Sequence, residues 1–306
     1  ESSYLYRLYA SIIEESDIQV HSISVFTHWK FVLAALRGKK CILHYHWLEF
    51  QDNRALSAML WKLFCIWLFK QLGGKIVWTV HNLSPHDRRY LGIHRNIGRW
   101  MGEIASAVLV HCKSCIEPVS KQFGIDEGLI TVLPHPQFPV KHIGKVKSRE
   151  QLAERMGLTI PETDVLFLVF GQISHYKGIP EIVDAFRELH HKKTHLLVAG
   201  TVKKGNQKLL DKLMMYCTKV PNFYLRDTFI DEESVALLHN ATDACIFNHR
   251  DIMASGSLEM ARSYKLPIIT PPQGCIQDYA DENTHFFNSN SELRDRMAKL
   301  TEIILK

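Results

Sequence analysis

The chain of 306 residues is longer than one hydrophobic core usually covers, so its length predicts two domains. Its hydrophobic fraction of 46% is that of an ordinary globular protein, and its formal net charge of +5 fits an anionic ligand or an anionic membrane surface without requiring either. The sequence has no dense run of Lys and Arg with interleaved aromatic residues, which argues against a nucleic-acid-binding protein.

Apolar segments of strand length alternate with amphipathic segments of helix length along the whole chain. Strands are predicted at 18–24, 40–45, 75–80, 107–110, 130–133, 165–170, 194–199, 223–226, 244–247 and 267–270. Helices are predicted at 4–15, 54–72, 116–123, 180–190, 205–217, 231–240, 258–263 and 292–305. Such alternation is typical of βαβ units, whose strands form parallel sheets, so we expect an α/β fold.

The alternation lapses at 134–147, where prolines and a glycine indicate a linker. We therefore expect a first domain over 1–140 and a second over 141–306, both Rossmann-like and facing each other across a cleft. Open α/β sheets bind ligands at the carboxyl ends of their strands, so this cleft is the expected site. The final helix is expected to pack back across the domains. Because the chain starts in mid-element at Glu1, we also expect that a first strand is missing from the front.

The most informative segment follows the predicted strand at 244–247. Asp251 and Glu259 lie on either side of a turn of small residues, after which a helix begins. The residues of this turn are Ser255, Gly256 and Ser257. Their backbone N–H groups have no intrahelical partners, so they point at any anion in front of the helix. The segment predicts a phosphate site flanked by two carboxylates.

A second turn of the same kind follows the predicted strand at 165–170. It starts with Gly171 and ends with Lys177, just before a new helix. The ammonium group of a lysine is a suitable point charge for a phosphate. Two phosphate-facing turns in one domain suggest a diphosphate, and a nucleotide sugar carries one.

The predicted helix at 55–72 is apolar on nearly every face, and only Lys62 and Lys70 within it are charged. Its length is marginal for a membrane span and the two lysines argue against one. Two interpretations stay open. The helix is either buried between two strands of the first sheet, or it lies in the membrane interface with Trp61 and Trp67 at the depth of the lipid headgroups.

Two small clusters are compatible with metal binding. His44 and His46 share one face of a predicted strand, and Cys112 and Cys115 have the C-x-x-C spacing. Neither pair has the additional carboxylate, His or Cys partners of a zinc site, so we prefer the interpretation without metal for both. The seven scattered cysteines are typical of a cytoplasmic protein.

Several phrases of the sequence occur in the order of a known family. They are 77–82 with Pro85 and His86, 132–135, 170–179, 255–259 and 265–268. In these phrases the chain resembles the GT-B glycosyltransferases, specifically glycosyltransferase family 4 and its exopolysaccharide-type relatives. The resemblance covers most of the chain and is stronger in the second domain.

The resemblance implies a role for each site residue. Lys177 and the N–H groups of 255–257 bind the diphosphate as it leaves, and Glu259 accepts hydrogen bonds from the ribose. Asp251 lies at the donor sugar near the reacting carbon, and His81 reaches toward that sugar from the first domain. The implied catalytic residues are His81, Asp251 and Lys177. The implied donor-binding residues are Gly171, Gln172, Lys177, Ser255, Gly256, Ser257 and Glu259.

The sequence departs from the family pattern at two positions. Gln172 stands where an arginine usually follows the glycine, so one positive charge on the diphosphate is missing. Asp251 is one methylene shorter than the usual glutamate. Arg250 and Arg226 are candidates to supply the missing charge.

We therefore predict a metal-independent hexosyltransferase that moves a sugar from a UDP or GDP sugar to a hydroxyl acceptor with retention. The expected acceptor is a lipid-linked saccharide of surface polysaccharide synthesis, and its phosphate is assigned to His86, Arg88 and Arg89. No cofactor, metal or nucleic acid is expected. The expected location is the cytoplasm, at the inner face of the membrane, with a peripheral contact through 55–72.

Two rival hypotheses stay open. Gln172 and Asp251 are compatible with a catalytically weak, nucleotide-binding partner of an active enzyme. A nucleotide-sugar epimerase with a GT-B-like fold is the other rival, and it would convert the donor without an acceptor.

Overall fold

A computed structural model describes residues 3–48, 53–85, 90–250 and 252–306. By its backbone contacts the chain divides into two compact units, Glu1–Pro136 and Gln137–Lys306, which we call unit 1 and unit 2. Each unit contains a parallel sheet with helices between its strands, so the predicted α/β class is confirmed.

Unit 1 contains a four-stranded sheet. Its strands are β1 (Ile42–Tyr45), β2 (Lys75–Thr79), β3 (Ala107–Val110) and β4 (Ile130–Val132). Its helices are α1 (Ser3–Glu15), α2 (Trp29–Leu36), α3 (Asn53–Gln71), α4 (Leu91–Ile104) and α5 (Ile116–Phe123). The strands pair in parallel in the order β1-β2-β3-β4, so their carboxyl ends share one edge of the sheet.

Unit 2 contains a six-stranded sheet. Its strands are β5 (Val165–Phe170), β6 (Thr194–Ala199), β7 (Phe223–Arg226), β8 (Ala244–Ile246), β9 (Ile268–Thr270) and β10 (Thr284–Phe286). Its helices are α6 (Lys145–Met156), α7 (Ile179–Arg187), α8 (Gln207–Lys219), α9 (Glu232–Ala241), α10 (Gly256–Ser263), α11 (Ile276–Tyr279) and α12 (Asn290–Ile304). The order β10-β9-β8-β5-β6-β7 is that of the doubly wound Rossmann sheet.

Strand β5 lies in the middle of this sheet and separates two hydrophobic clusters. Val165, Phe167 and Val169 belong to one cluster, and Leu166 and Leu168 belong to the other. Side chains of a strand alternate between its two faces, so an unbroken apolar run means that helices cover both faces. The central position of β5 explains why its limits could be predicted from the sequence.

Helix α3 has two different faces in the structure, although its sequence is apolar nearly all round. Cys65, Ile66 and Phe69 are buried, whereas Trp61 and Trp67 are 43% and 46% exposed. The interpretation of a buried helix therefore holds for one face of α3 and not for the face that carries the two tryptophans.

The two lysines of α3 contact other residues of unit 1. Lys62 Nζ lies 4.6 Å from the centre of the Tyr45 ring, and Lys70 Nζ is 3.5 Å from Ser106 Oγ. Across the described ranges, no helix combines the length and the hydrophobicity that a membrane crossing requires.

Helix α12 packs within unit 2, against α7 and β9. Its residues Leu293, Met297 and Leu300 are buried in the same cluster as Phe167. The helical spacing of these apolar residues, seen in the sequence, is thus explained by contacts inside this unit.

The predicted strand at 18–24 is wrong. These residues form no regular structure, and Ile18 and Val20 are 59% and 41% exposed. Within the described residues the segment pairs with no strand, so its alternating apolar residues are not buried on the face of a sheet.

Five elements were not predicted, namely α2, α4, α6, α11 and β10. Helix α6 begins at Lys145, inside the predicted linker, and it is rich in charged residues, which weakens the apolar signal. Strand β10 has three residues and α11 has four, which is too short for a periodic pattern.

Arg149 attaches α6 to the sheet. Its side chain is buried, and Nη2 forms an ion pair with Asp243 Oδ2 at 2.7 Å. Its Nε donates to Ala241 O at 3.1 Å, and Nη1 donates to the carbonyl groups of Glu162 and Asp164 at 3.1 and 2.9 Å. One guanidinium therefore satisfies carbonyl groups at the end of α9 and at the start of β5.

Replacing Arg149 with methionine should lower the free energy of unfolding of unit 2 by about 3 kcal/mol, because it leaves Asp243 and several carbonyl groups buried without this donor. Lys145 also pairs with Asp243, which keeps the loss at the lower end of the expected range. Urea unfolding measures it. Arg155→Met, which breaks an exposed pair with Glu233, is the matched control and should cost less than about 1 kcal/mol. Equal losses in both variants would contradict the structural role of Arg149.

Candidate functional site

The middle of the unit 2 sheet is a topological switch point. β5 and β8 are neighbours, but the chain continues from β5 to β6 on one side and from β8 to β9 on the other. The loops that follow two such strands diverge, and they leave a crevice at the carboxyl edge of the sheet. The loop after β5 begins with Gly171, and the loop after β8 leads to Ser255 at the start of α10.

Gly171 lies between Lys177 and Ser257. A Cβ atom on Gly171 would be 2.9 Å from Lys177 Nζ and 3.4 Å from Ser257 Cβ. Its φ of +98° is in the region that favours glycine. The structure thus brings the two phosphate-facing turns of the sequence together at one point.

Gly200, directly after β6, lies against the backbone of the turn at Gly171. Its φ is +147°, and a Cβ atom there would be only 2.3 Å from Gly171 O. The backbones after β5 and β6 therefore approach too closely for any side chain. Sequence reasoning missed this residue, although a glycine at the carboxyl end of a buried strand is a signal of close backbone approach.

The ammonium group of Lys177 is buried at the carboxyl end of β5. The side chain is 3% exposed, and Nζ donates to Phe170 O at 2.7 Å. Burial lowers the pKa of Lys177 to about 7, because removing the ammonium group from water disfavours its charged form. An anion placed beside Nζ would restore the charge.

The position of Lys177 is set by the residue that follows it. Gly178 has a φ of +56°, and a Cβ atom on it would lie 2.8 Å from Asn248 O. Asn248 Nδ2 donates to Gly178 O at 3.2 Å. The loop after β8 therefore fixes the start of α7, and Asn248 is a second positioning residue that sequence reasoning missed.

Helix α10 begins at Gly256 with Ser255 as its N-cap. Ser255 Oγ accepts a hydrogen bond from Leu258 N at 3.4 Å and lies 3.1 Å from Ser257 Oγ. At the first two helical positions, Gly256 and Ser257, the backbone N–H groups have no intrahelical acceptor. Together with the helix dipole they favour an anion at this end.

Glu259 lies in the first turn of α10 and its carboxylate is buried. Oε2 accepts a hydrogen bond from Arg262 Nη1 at 2.8 Å. The Arg262 guanidinium in turn lies 4.5 Å from the centre of the Tyr279 ring. Burial raises the pKa of Glu259, and the charge of Arg262 opposes that rise.

The two arginines named from the sequence as candidates for the missing positive charge have other partners in the structure. Gln172 is exposed. Arg250 Nη2 pairs with Glu181 Oε1 at 2.6 Å, and Arg226 Nη2 donates to the carbonyl group of Met156.

Four of the predicted site residues lie outside the residues that the structure describes. They are Asp251, His86, Arg88 and Arg89. Their roles stay predictions.

A chain of hydrogen-bonded rings lies at the carboxyl edge of the unit 1 sheet. Tyr9 Oη is 2.6 Å from His44 Nδ1 and 2.9 Å from His46 Nε2. His46 Nδ1 is 3.3 Å from His81 Nε2, and His81 Nδ1 is 3.3 Å from His111 Nε2. Both ring nitrogens of His81 are therefore engaged inside unit 1, and a bond must open before either can meet a sugar.

The two ends of this chain are a hydroxyl and a carbonyl group. His44 Nε2 is 2.8 Å from Thr79 Oγ1, and His111 Nδ1 is 2.9 Å from Leu133 O. Trp47 stacks on His81 with ring centres 4.9 Å apart.

Tyr4 from α1 is packed among the same rings. Its ring centre is 5.1 Å from that of His81 and 4.9 Å from that of His135. Among the rings of this cluster, sequence reasoning assigned a catalytic role to His81 alone. The signal for the others was that each strand of unit 1 ends in, or is closely followed by, a histidine, and carboxyl ends of parallel strands meet at one edge.

The buried environment favours the neutral form of each of these histidines. Burial lowers the pKa of His44 to about 4, and burial together with neighbouring histidines lowers the pKa of His46 to about 3 and that of His81 to about 2.

Comparison with known proteins gives relatives of one kind. No family model matches the chain. A GDP-mannose:glycolipid 4-beta-D-mannosyltransferase of Xanthomonas campestris pv. campestris is 22% identical over 244 residues, which are 78% of this chain and 63% of the relative. A second protein of that name and pathovar is 22% identical over 255 residues, 81% of this chain and 66% of the relative. The chain thus spans less than two thirds of these relatives.

Solved structures show the same fold. HepE of Anabaena, in complex with UDP-glucose, matches 97% of this chain and 82% of its own with a TM-score of 0.67 and 14% identity. Sucrose-phosphate synthase of Thermosynechococcus elongatus matches 92% of this chain and 72% of its own with a TM-score of 0.66 and 15% identity. These structures show that the chain has the fold of GT-B glycosyltransferases, as expected from the sequence.

Proposed function

We propose that the protein is a glycosyltransferase that moves a sugar from a nucleoside-diphosphate donor to a hydroxyl acceptor. The observation that carries this proposal is the contact region at Gly171, which Lys177 Nζ and Ser257 both flank. An ammonium group and the start of a helix, on two loops at the switch point of a Rossmann sheet, are complementary to a diphosphate. The glycosyltransferases among its relatives and structural neighbours support the same function.

The diphosphate is the leaving group of the reaction. When the bond between the anomeric carbon and the phosphate oxygen breaks, its electron pair stays with the diphosphate. Lys177 and the N–H groups of Gly256 and Ser257 meet this growing negative charge, so they stabilise the transition state more than the bound donor. Asp251 is assigned to the donor sugar near the reacting carbon.

Glu259 is assigned to the ribose of the nucleotide. Its carboxylate is held by Arg262 through Oε2, so Oε1 is the oxygen that we assign to the ribose hydroxyls. The donor is a UDP or a GDP sugar. The Xanthomonas relatives are named for GDP-mannose, and HepE binds UDP-glucose.

The proposed acceptor is a lipid-linked saccharide of surface polysaccharide synthesis. The Xanthomonas relatives are named for a glycolipid, which supports this choice. His86, Arg88 and Arg89 are assigned to the phosphate of the acceptor. As the family resemblance implies, transfer proceeds with retention, without a dedicated base, metal ion or cofactor.

The exposed face of α3 is the proposed contact with the membrane. Trp61, Phe64 and Trp67 follow one another at helical spacing and are each exposed by more than 40%. Aromatic side chains of this kind partition into the interface between lipid headgroups and acyl chains. A glycolipid acceptor would be met there, so we place the protein at the cytoplasmic face of a membrane.

A catalytically weak nucleotide-binding partner is the alternative. It is favoured by the exposure of Gln172 and by the pairing of Arg250 with Glu181, which leave Lys177 as the cation assigned to the diphosphate. Nucleotide binding without transfer or donor hydrolysis, for every donor tested, would support this alternative.

Lys177→Gln should weaken the binding of UDP or GDP about 10- to 100-fold, since a hydrogen bond from a charged group contributes about 1.5–3 kcal/mol. Sugar transfer should be lost. Titration calorimetry measures the affinity, and Lys204→Gln, an exposed lysine of the same unit, is the control that should bind like the wild type. If Lys177→Gln binds both nucleotides normally, Lys177 does not hold the diphosphate.

The affinity for a sugar nucleotide should fall as the pH rises above about 7. The free protein has a Lys177 pKa of about 7, so above that pH the side chain must take up a proton when the diphosphate binds. Below it the side chain is already charged and the dependence ends. Uptake of one full proton corresponds to about a tenfold loss of affinity per pH unit.

Titrations with UDP-glucose and GDP-mannose between pH 6 and pH 9 test this, because the phosphodiester groups of these donors do not titrate in that range. Lys177→Gln should show no such slope. A wild-type affinity that does not change with pH would contradict the assignment.

Replacing both Trp61 and Trp67 with serine should reduce binding to vesicles that contain anionic lipid by about tenfold or more, because each ring loses apolar burial of about 1.5–3 kcal/mol at most. Co-sedimentation with phosphatidylglycerol vesicles measures the bound fraction. Phe229→Ser, at a residue of unit 2 that is 82% exposed, is the control. Unchanged binding of the double variant would remove α3 from the membrane contact.

A further inference from the structure

The ring chain of unit 1 has a direction, and one carbonyl group sets it. Leu133 O can only accept a hydrogen bond, so His111 Nδ1, at 2.9 Å, must donate. A neutral His111 then has its lone pair on Nε2. Tyr4 Oη and His81 Nδ1 both lie 3.3 Å from that lone pair. A lone pair on His81 Nδ1 would face the lone pair of His111 and be repelled by it, so His81 carries its proton on Nδ1 whether or not Tyr4 also donates.

The same reasoning extends along the rest of the chain. His81 Nε2 accepts from His46 Nδ1, and His46 Nε2 accepts the phenol proton of Tyr9. The Tyr9 oxygen then accepts from His44 Nδ1, and His44 Nε2 accepts from Thr79 Oγ1. All four histidines therefore have the same tautomer, with the proton on Nδ1, and every bond runs from Thr79 toward Leu133.

Groups from several elements surround His81, and all of them are uncharged. Tyr4 and Tyr9 come from α1, and the remaining groups come from the carboxyl ends of β1, β3 and β4. These remaining groups are His44, His46, Trp47, His111 and His135. Among the described residues that shift the pKa of His81 there is no carboxylate, so nothing in the cluster favours an imidazolium.

His81 is the weakly held member of the chain. Its two bonds, to His46 and to His111, are both 3.3 Å long. The other bonds of the chain are between 2.6 and 2.9 Å. A hydrogen bond weakens with distance, so His81 is the ring that exchanges a partner at the lowest cost.

We propose that Tyr9, His44 and His46 are positioning residues that keep His81 in one tautomer, with Nε2 as a hydrogen-bond acceptor for a hydroxyl group of the donor sugar. When His81 leaves His46, its Nε2 lone pair is presented to the sugar. The opposite tautomer would present an N–H donor there. This inference rests on the proposed glycosyltransferase function and on the role that the family resemblance implies for His81, which is to reach toward the donor sugar.

Nitrogen-15 NMR of the histidine side chains tests the chain without any substrate. Between pH 6 and pH 8, His44, His46, His81 and His111 should all be neutral and protonated on Nδ1. A His81 that is protonated on Nε2, or on both nitrogens, would overturn the proposal. So would a metal ion bound by these histidines, because ring nitrogens that ligate a metal cannot form this chain.

Tyr9→Phe tests the positioning role. Phenylalanine keeps the ring but removes both the proton donor to His46 and the acceptor for His44. The NMR signals of His46 and His81 should then show a mixture of tautomers, and kcat should fall about tenfold while KM for the donor stays within about twofold. Tyr6→Phe, at an exposed tyrosine of the same helix, is the matched control and should match the wild type in both measurements.

Thr79→Val is a second variant in case Tyr9→Phe does not fold. It removes the donor at the far end of the chain, so His44 should lose its single tautomer and kcat should fall by less than in Tyr9→Phe. Wild-type tautomers and kcat in both variants would overturn the proposal while leaving the transferase function intact. A wild-type protein that transfers no sugar would instead contradict the proposed function. The NMR result would still show whether the four histidines have the tautomers that the hydrogen-bonded chain requires.

Discussion

The proposed donor side of the site depends on one buried ammonium group. Lys177 Nζ has a carbonyl group, Phe170 O, as its hydrogen-bond partner, and burial lowers its pKa to about 7. A cation that is removed from water without an opposite charge is unfavourable. The free protein therefore carries an unfavourable interaction that an anion relieves, and this makes the place selective for anions before any contact with a nucleotide base is made.

The backbone around Lys177 has to leave room for both the ammonium group and the anion. Gly171 and Gly200 provide that room, because each lacks the Cβ atom that would collide with its neighbours. The switch point of the sheet then supplies the second ligand type, since the loop after β8 ends in the first turn of α10. The ammonium group of Lys177 and the main-chain N–H groups of α10 thus come from two different loops. These loops are adjacent because β5 and β8 are neighbours in the strand order.

Much of unit 2 could be predicted from the sequence, because β5 and β6 are unbroken apolar runs and their ends are marked by glycine. The pairing of Lys177 with the start of α10 followed from two turn motifs with a clear physical meaning. Gly200 and Asn248 were missed because their roles come from backbone contacts across the sheet. Short or charged elements such as β10 and α6 were missed because they have little apolar periodicity.

In unit 1 the sequence pointed to His81 but not to its surroundings. The hydrogen bonds of the ring chain around His81, with that of Tyr4, join residues between 22 and 107 positions apart along the chain, such as His111 with Leu133 and Tyr4 with His111. No local pattern reports contacts over such distances. The pair His44 and His46 was recognised as sharing one face of a strand, and the structure adds that a phenol oxygen joins them.

The division of the chain into two units has an evolutionary consequence. Gly171, Lys177, the first turn of α10 and Glu259 all belong to unit 2. Substitutions in unit 1 therefore do not change the residues that are assigned to the phosphates. If the proposed function holds, selection can alter unit 1 to suit a new acceptor glycan, while unit 2 keeps the proposed binding site for the sugar nucleotide.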